Sequence, residues 1–161
     1  MAKVLIKKLD PAVKLPIYKT NGASGMDLMA FIKETMIIKP KTSFLVPTGL
    51  SVAFSKNYEI QVRPRSGLAA KNNITVLNSP GTIDSDYRGE IKVIIYNYGD
   101  NDFIINNKDR IAQMILTPVV KMELEETDNL PKTIRGEGGF GSTGKWTASL
   151  TKMKSNDFQD R

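Results

Sequence analysis

The sequence predicts an all-β domain with one short helix and a glycine-rich C-terminal arm. Three observations point there. Short β-prone runs recur along most of the chain, each bounded by Pro, Gly, Asn or Asp. The run Leu50, Val52, Phe54 alternates with a period of two, which puts one apolar face of a strand toward a core. Only one segment, Ser66–Lys71, has the composition of a helix. Many short strands at regular spacing argue for a sandwich, jelly roll or barrel.

In order, the expected strands are Val4–Leu9, Thr35–Ile38, Ser43–Val46, Leu50–Phe54, Glu59–Arg63, Thr75–Leu77, Glu90–Tyr98, Asp102–Ile105 and Arg110–Val120. Turn signals lie between them at Lys39-Pro40, Pro47-Thr48-Gly49 and Gly99-Asp100-Asn101. Ile91–Tyr96 is apolar at nearly every position, as in a strand buried on both faces or one covered by a partner subunit. Residues 125–134 read as a polar linker and 135–144 as half glycine. The division expected is a β-rich domain over 1–134, a glycine-rich arm over 135–144, and a tail over 145–161 with little order.

The 161 residues suit one domain with a core of its own. The chain has no cysteine and no histidine. Disulfides, thiolate nucleophiles, cysteine-ligated zinc and Ser-His-Asp chemistry are therefore excluded. A general base must be a carboxylate, Lys or Tyr, and a metal must accept oxygen ligands, which favours Mg²⁺, Mn²⁺ or Ca²⁺. The net charge of +6 suggests an anionic partner. Arginine is confined to positions 63, 65, 88, 110, 135 and 161, and all but the last adjoin a polar or glycine-rich motif. Its planar fork suits phosphate oxygens. With no basic stripe interleaved with aromatics, a small phosphorylated ligand is expected and a nucleic acid is not. No apolar run approaches the roughly 20 residues of a membrane helix, and Met1–Leu9 lacks the apolar core of a signal peptide. A cytoplasmic protein with no membrane partner is expected.

Five segments carry candidate chemistry. Arg135–Gly144 frees backbone amides for phosphate and adds the hydroxyls of Ser142 and Thr143; its lone aromatic, Phe140, suits a lid on a base. Gly139–Lys145 matches the start of a phosphate-binding Walker A loop, but Trp146 stands where Mg²⁺ needs Ser or Thr, so that reading fails. Gly81–Gly89 contains Asp84 and Asp86, which share a face if the segment is extended, beside Tyr87. They suit a water-orienting or metal-binding role, or a tight turn. Arg65-Ser66-Gly67 leads into the helix, where amides and the Ser66 hydroxyl suit an anion or a plain N-cap. Ala23–Leu28 offers Asp27 after a glycine turn, and Asp109–Ile115 carries Arg110 and Gln113 among apolar residues. Neither of these last two is specific alone.

In order and spacing, the five segments resemble the five motifs of the trimeric dUTPases, over about residues 20 to 144. The resemblance implies a jelly-roll or distorted-barrel fold, a homotrimer with active sites shared between subunits, and Mg²⁺-dependent hydrolysis of dUTP to dUMP and pyrophosphate. That activity keeps uracil out of DNA and supplies dUMP for dTMP synthesis. It further implies that Asp84 activates the water attacking the α-phosphorus. Asn78, with Gly81, Thr82 and Ile83, would read uracil, with Lys92 lining the pocket and Tyr87 stacking beneath the deoxyribose to exclude a ribose hydroxyl. Arg65, Ser66 and Gly67 would hold the α- and β-phosphates, and Gln113 the phosphate and metal-water region. Asp27 would meet water on a Mg²⁺ ion held mainly by the triphosphate. Arg135, Gly141, Ser142 and Thr143 would grip the γ-phosphate end, with Phe140 over the uracil. Arg110 is expected to be the structural partner of a carboxylate.

The sequence departs from the family pattern in continuing over residues 145–161, past the fifth motif, and in carrying Ser79-Pro80 just before the third. A dCTP deaminase would share the fold but needs a Glu placed for amino-group chemistry; Glu90 follows Gly89, away from the Asp84 position. A silent nucleotide-binding module on the same fold would be expected to lack Asp84 or Phe140, and both are present.

Overall fold

Strands form where apolar and polar residues alternate, and a computed structural model, which describes residues 2–139, has eleven of them in that span. They are β1 (Val4–Lys8), β2 (Met26–Met29), β3 (Met36–Ile38), β4 (Ser43–Pro47), β5 (Leu50–Phe54), β6 (Tyr58–Arg63), β7 (Ile74–Val76), β8 (Gly81–Ile83), β9 (Lys92–Asn97), β10 (Phe103–Ile105) and β11 (Arg110–Pro118), with one helix, α1 (Ser66–Asn72), between β6 and β7. Every pairing is antiparallel. A four-stranded sheet runs β2-β11-β6-β8, a three-stranded sheet β4-β9-β7, and two ribbons pair β1 with β5 and β3 with β10.

One core joins these sheets. Leu50 and Val52 are buried and Phe54 packs against the same cluster, as their alternation predicts. On β9, Val93 and Ile95 turn inward and are buried, whereas Lys92 is exposed and Ile94 and Tyr96 are half-buried. The strand is thus not buried on both faces within one chain. Apolar burial at roughly 25 cal/mol per Å² makes this core the main favourable contribution to folding.

The turn signals close as their chemistry requires. Gly49 has φ +69°, and a Cβ there would stand 2.5 Å from Val13 Cγ2, so this position needs glycine on both counts. After β9, fully buried Asn97 donates from Nδ2 to the carbonyls of Ile38 (2.9 Å) and Asn101 (2.8 Å) and accepts from the Gly99 amide (2.8 Å). One side chain thereby satisfies the backbone of the Gly99–Asn101 turn.

Two expectations need correction. Met26–Met29 is a strand, not merely a residue after a glycine turn, and it borders β11. Gly81–Ile83 is a strand as well. Of the readings open for Asp84 and Asp86, the tight turn is the one present: the Tyr87 amide donates to the Asp84 carbonyl at 3.2 Å, closing a turn over 84–87. The short side chains of Asp84, Ser85 and Asp86 favour that turn over strand continuation.

The chain divides into two units, Met1–Lys121 and Met122–Arg161. Within the second, residues 122–139 hold no helix or strand. A local turn there joins Gly136 N to Thr133 O and Gly138 N to Arg135 O, both at 3.1 Å, and Arg135 Nε donates to Gly138 O at 2.8 Å. No helix among the described residues is long and apolar enough to cross a membrane.

Candidate active site

Two clusters on the first unit gather the residues singled out from the sequence. One surrounds β8. That strand pairs with β6 on one side and is the sheet edge on the other, so alternate residues turn their N–H and C=O groups away from the sheet. A cleft of about 300 Å³ lies there, lined by Asn78, Thr82, Ile83, Asp84, Tyr87 and Lys92 together with Leu45, Glu90, Ile91 and Ile94. Gly81 makes room for Asn78: a Cβ on it would stand 3.2 Å from Asn78 Nδ2. The Asp84 carboxylate makes no hydrogen bond or ion pair among the described residues, so it is free to meet solvent or ligand. Tyr87 Oη donates to the Glu90 carbonyl at 3.1 Å, which turns the ring toward the strap that follows it.

Four lining residues were not foreseen. Ile94 shares a face with Lys92 by the strand period, so the sequence held that signal. Leu45 is opposite Ile94 in the β4–β9 register, which no sequence pattern announces. Glu90 and Ile91 line the cleft because the strap between Tyr87 and β9 folds back on the β4–β5 turn. Glu90 Oε1 accepts from the Gly49 amide at 2.8 Å, and Glu90 Oε2 is 3.7 Å from Lys92 Nζ.

The other cluster crowns the far end of the same sheet. Asp27, Gln113 and Arg63 form one cross-strand row over β2, β11 and β6. Asp27 Oδ1 is 3.0 Å from Arg65 Nε and Oδ2 is 3.2 Å from Arg110 Nη1, so both carboxylate oxygens are engaged. Arg65 also donates to the Arg110 carbonyl at 2.9 Å, and Gln113 Nε2 to the Pro64 carbonyl at 3.0 Å. Arg110 is therefore the carboxylate partner expected of it. The Asp27 and Arg65 side chains are largely shielded from solvent, which strengthens their pairing relative to a surface ion pair.

The helix start differs from a plain N-cap at Ser66. Arg65 is the N-cap and makes no side-chain capping bond, so Ser66 and Gly67 are the first two helical residues. Their amides head the helix, where no intrahelical acceptor exists. Nothing lies within 4 Å of the position a Cβ on Gly67 would take, so the site is open. Arg135 belongs to the second unit. Phe140, Gly141, Ser142 and Thr143 lie outside the described residues, as does the tail over 145–161.

The two clusters stand apart. Ile83 pairs with Ile60, so Asp84 lies level with Glu59, four residues from the Arg63 row and three strands from Asp27. At about 3.3 Å per residue and about 4.8 Å per strand, Asp84 and Asp27 are about 19 Å apart.

A family model for dUTPase matches residues 12–144. The chain belongs to the dUTPase family. Relatives named deoxyuridine 5'-triphosphate nucleotidohydrolase include one from Hydrogenobaculum sp., 53% identical over 142 residues, which spans 88% of this chain and 98% of the relative. Another, from Fusobacterium nucleatum, is 51% identical over 146 residues, covering 90% of this chain and all of the relative. Among solved structures, the Staphylococcus bacteriophage 80alpha dUTPase with dUpNHpp superposes with a TM-score of 0.79 at 24% identity, over 88% of this chain and 98% of that one. The antiparallel β architecture with one short helix is the fold of that family.

Proposed function

We propose that this dUTPase-family chain hydrolyses dUTP to dUMP and pyrophosphate at a site that combines the β8 cleft of one copy with the Arg65–Gly67 cluster of another. The observation that carries the reading is the cleft itself: an edge strand, a side-chain amide at Asn78, an aromatic ring at Tyr87 and an uncommitted carboxylate at Asp84 converge on one cavity. An edge strand imitates a base-pairing edge. Outward N–H and C=O groups near Thr82, with the Asn78 amide, match the acceptors and donor of uracil. Cytosine would leave such groups unpaired.

In this reading Asp84 accepts a proton from water as that water's oxygen bonds to the α-phosphorus. The bond from the α-phosphorus to its bridging oxygen breaks, and pyrophosphate leaves with the electron pair. Histidine is absent from the chain, which is consistent with a carboxylate base. Arg65 Nη2, the Ser66 hydroxyl and the Ser66 and Gly67 amides receive the phosphate oxygens. Gln113 borders the same region. Arg135, Gly141, Ser142 and Thr143 grip the γ-phosphate and Phe140 covers the base as the 135–144 arm closes.

Among the described residues, no group of three or more carboxylates forms a metal cage, and both Asp27 oxygens already have partners. Those residues fit a Mg²⁺ ion bound mainly by triphosphate oxygens, with Asp27 as a partner of its water. Such an ion neutralises charge on the triphosphate and holds it in line for attack.

The strand register supports a site shared between copies. Water held by Asp84 and phosphate held by Ser66 must both lie within about 3 Å of their partners on one α-phosphate. Within one chain Asp84 lies about level with Glu59, four residues or about 13 Å along β6 from Arg63, and Ser66 follows beyond Arg63 in the chain. Assembly as a homotrimer closes that gap, and the half-exposed Leu45, Ile94 and Tyr96 face supplies apolar surface for it. Asp84→Asn tests the chemistry: dUTP still binds with its wild-type affinity, and turnover falls by about 10² to 10⁴. Turnover that stays at the wild-type rate would remove Asp84 from the role of base.

A further inference from the structure

We infer that Gly89 is a specificity-determining position, because its missing side chain fixes where the Tyr87 ring can lie. The inference rests on the reading above, in which Tyr87 faces the deoxyribose. A Cβ built on Gly89 would stand 2.3 Å from Tyr87 Oη, 2.5 Å from Cζ and 2.9 Å from Cε2. No side-chain carbon tolerates such distances, so ring and Cβ cannot both keep their places. The backbone at Gly89 does not itself demand glycine: among the described residues, the glycines at positive φ are Gly49 and Gly136. Glycine at 89 is therefore required by the ring, not by the turn.

Which partner yields is decided by how each is held. The two residues that follow Gly89, Glu90 and Ile91, are fastened to the β4–β5 turn by four hydrogen bonds. Glu90 Oε1 accepts from Gly49 N at 2.8 Å, Ile91 N donates to Leu50 O at 2.7 Å, and Thr48 donates to Ile91 O from Oγ1 at 2.6 Å and from N at 3.3 Å. Thr48 and Ile91 are almost fully buried. The Tyr87 ring, by contrast, is the free end of a 47% exposed side chain, anchored by one hydrogen bond to Glu90 O. A methyl group at 89 moves the ring and leaves the strap. The wall of the cleft that meets the 2′-position then opens, and discrimination against a ribose hydroxyl weakens.

The test measures kcat/KM for dUTP and UTP, together with thermal midpoints, in wild type, Gly89→Ala, Tyr87→Phe, Tyr87→Ala and the Gly89→Ala/Tyr87→Ala pair. Gly89→Ala is expected to lower the dUTP:UTP ratio by about tenfold or more. Its midpoint stays close to wild type. Tyr87→Phe, which removes only the anchoring hydroxyl, shifts the ratio in the same direction. In the Tyr87→Ala background, Gly89→Ala changes the ratio no further, because its effect acts through the ring. A Gly89→Ala protein that keeps the wild-type ratio overturns the inference. So does an equal drop with and without Tyr87, or a variant that fails to fold, since a ring free to swing aside costs little. Wild-type protein that turns over UTP as readily as dUTP would instead refute the reading of the cleft.

Discussion

Mixing two inactive variants should restore activity. Asp84→Asn removes the proposed base. Ser66→Glu puts a carboxylate where phosphate is to bind, at an exposed first helical position whose first turn has no acidic residue. A negative charge there suits the helix dipole, so the variant folds while repelling the triphosphate. The sheet register puts Asp84 about level with Glu59, about 13 Å along β6 from Arg63, and Ser66 follows Arg63 off the end of the strand, which favours two copies over one in serving a single phosphate. A working site in a mixed assembly then needs Asp84 from a Ser66→Glu copy and Ser66 from an Asp84→Asn copy. Random assembly at equal amounts meets both conditions in about a quarter of sites. The assay denatures each variant, refolds them singly and together, and follows pyrophosphate release from dUTP. The mixture is expected to recover about a quarter of the wild-type rate per site, against near-background rates for each variant alone. A mixture no more active than its components, with assemblies shown to have exchanged subunits, would refute the shared site.

Two further outcomes follow from particular positions. Gly49→Ala should destabilise the fold by about 2–4 kcal/mol, because it combines a left-handed φ with a 2.5 Å approach to Val13; a thermal midpoint within a degree of wild type would show that the turn relaxes freely. Truncation before Arg135 should leave the first unit folded, by circular dichroism and melting, with turnover of dUTP severely reduced; unchanged turnover would take the arm out of the site.

Periodicity made most of the fold legible. Leu50–Phe54 was readable because alternation alone defines a half-buried strand. Met26–Met29 escaped because three of its four residues are apolar, so it has no clean period and becomes a strand by pairing with β11. Gly81–Ile83 escaped because it is only three residues long and opens on glycine, and its β-structure is imposed by β6. At the site, Asn78, Thr82, Ile83, Asp84, Tyr87 and Lys92 were named in advance, and they line one cleft. Leu45 and Glu90 were not, since cross-strand register and the fold of the 89–91 strap are tertiary facts. Arg110 was expected to partner a carboxylate, but that the carboxylate is Asp27, shared with Arg65, was hidden: the two arginines lie 83 and 38 positions from it.

Parallel assays of dUTP, dCTP, dTTP and UTP, with and without Mg²⁺, test the central claim most directly. Each is read for both pyrophosphate and ammonia. Rapid, Mg²⁺-dependent pyrophosphate release from dUTP alone is the predicted result. Ammonia from dCTP, or dUTP bound without turnover, would contradict it.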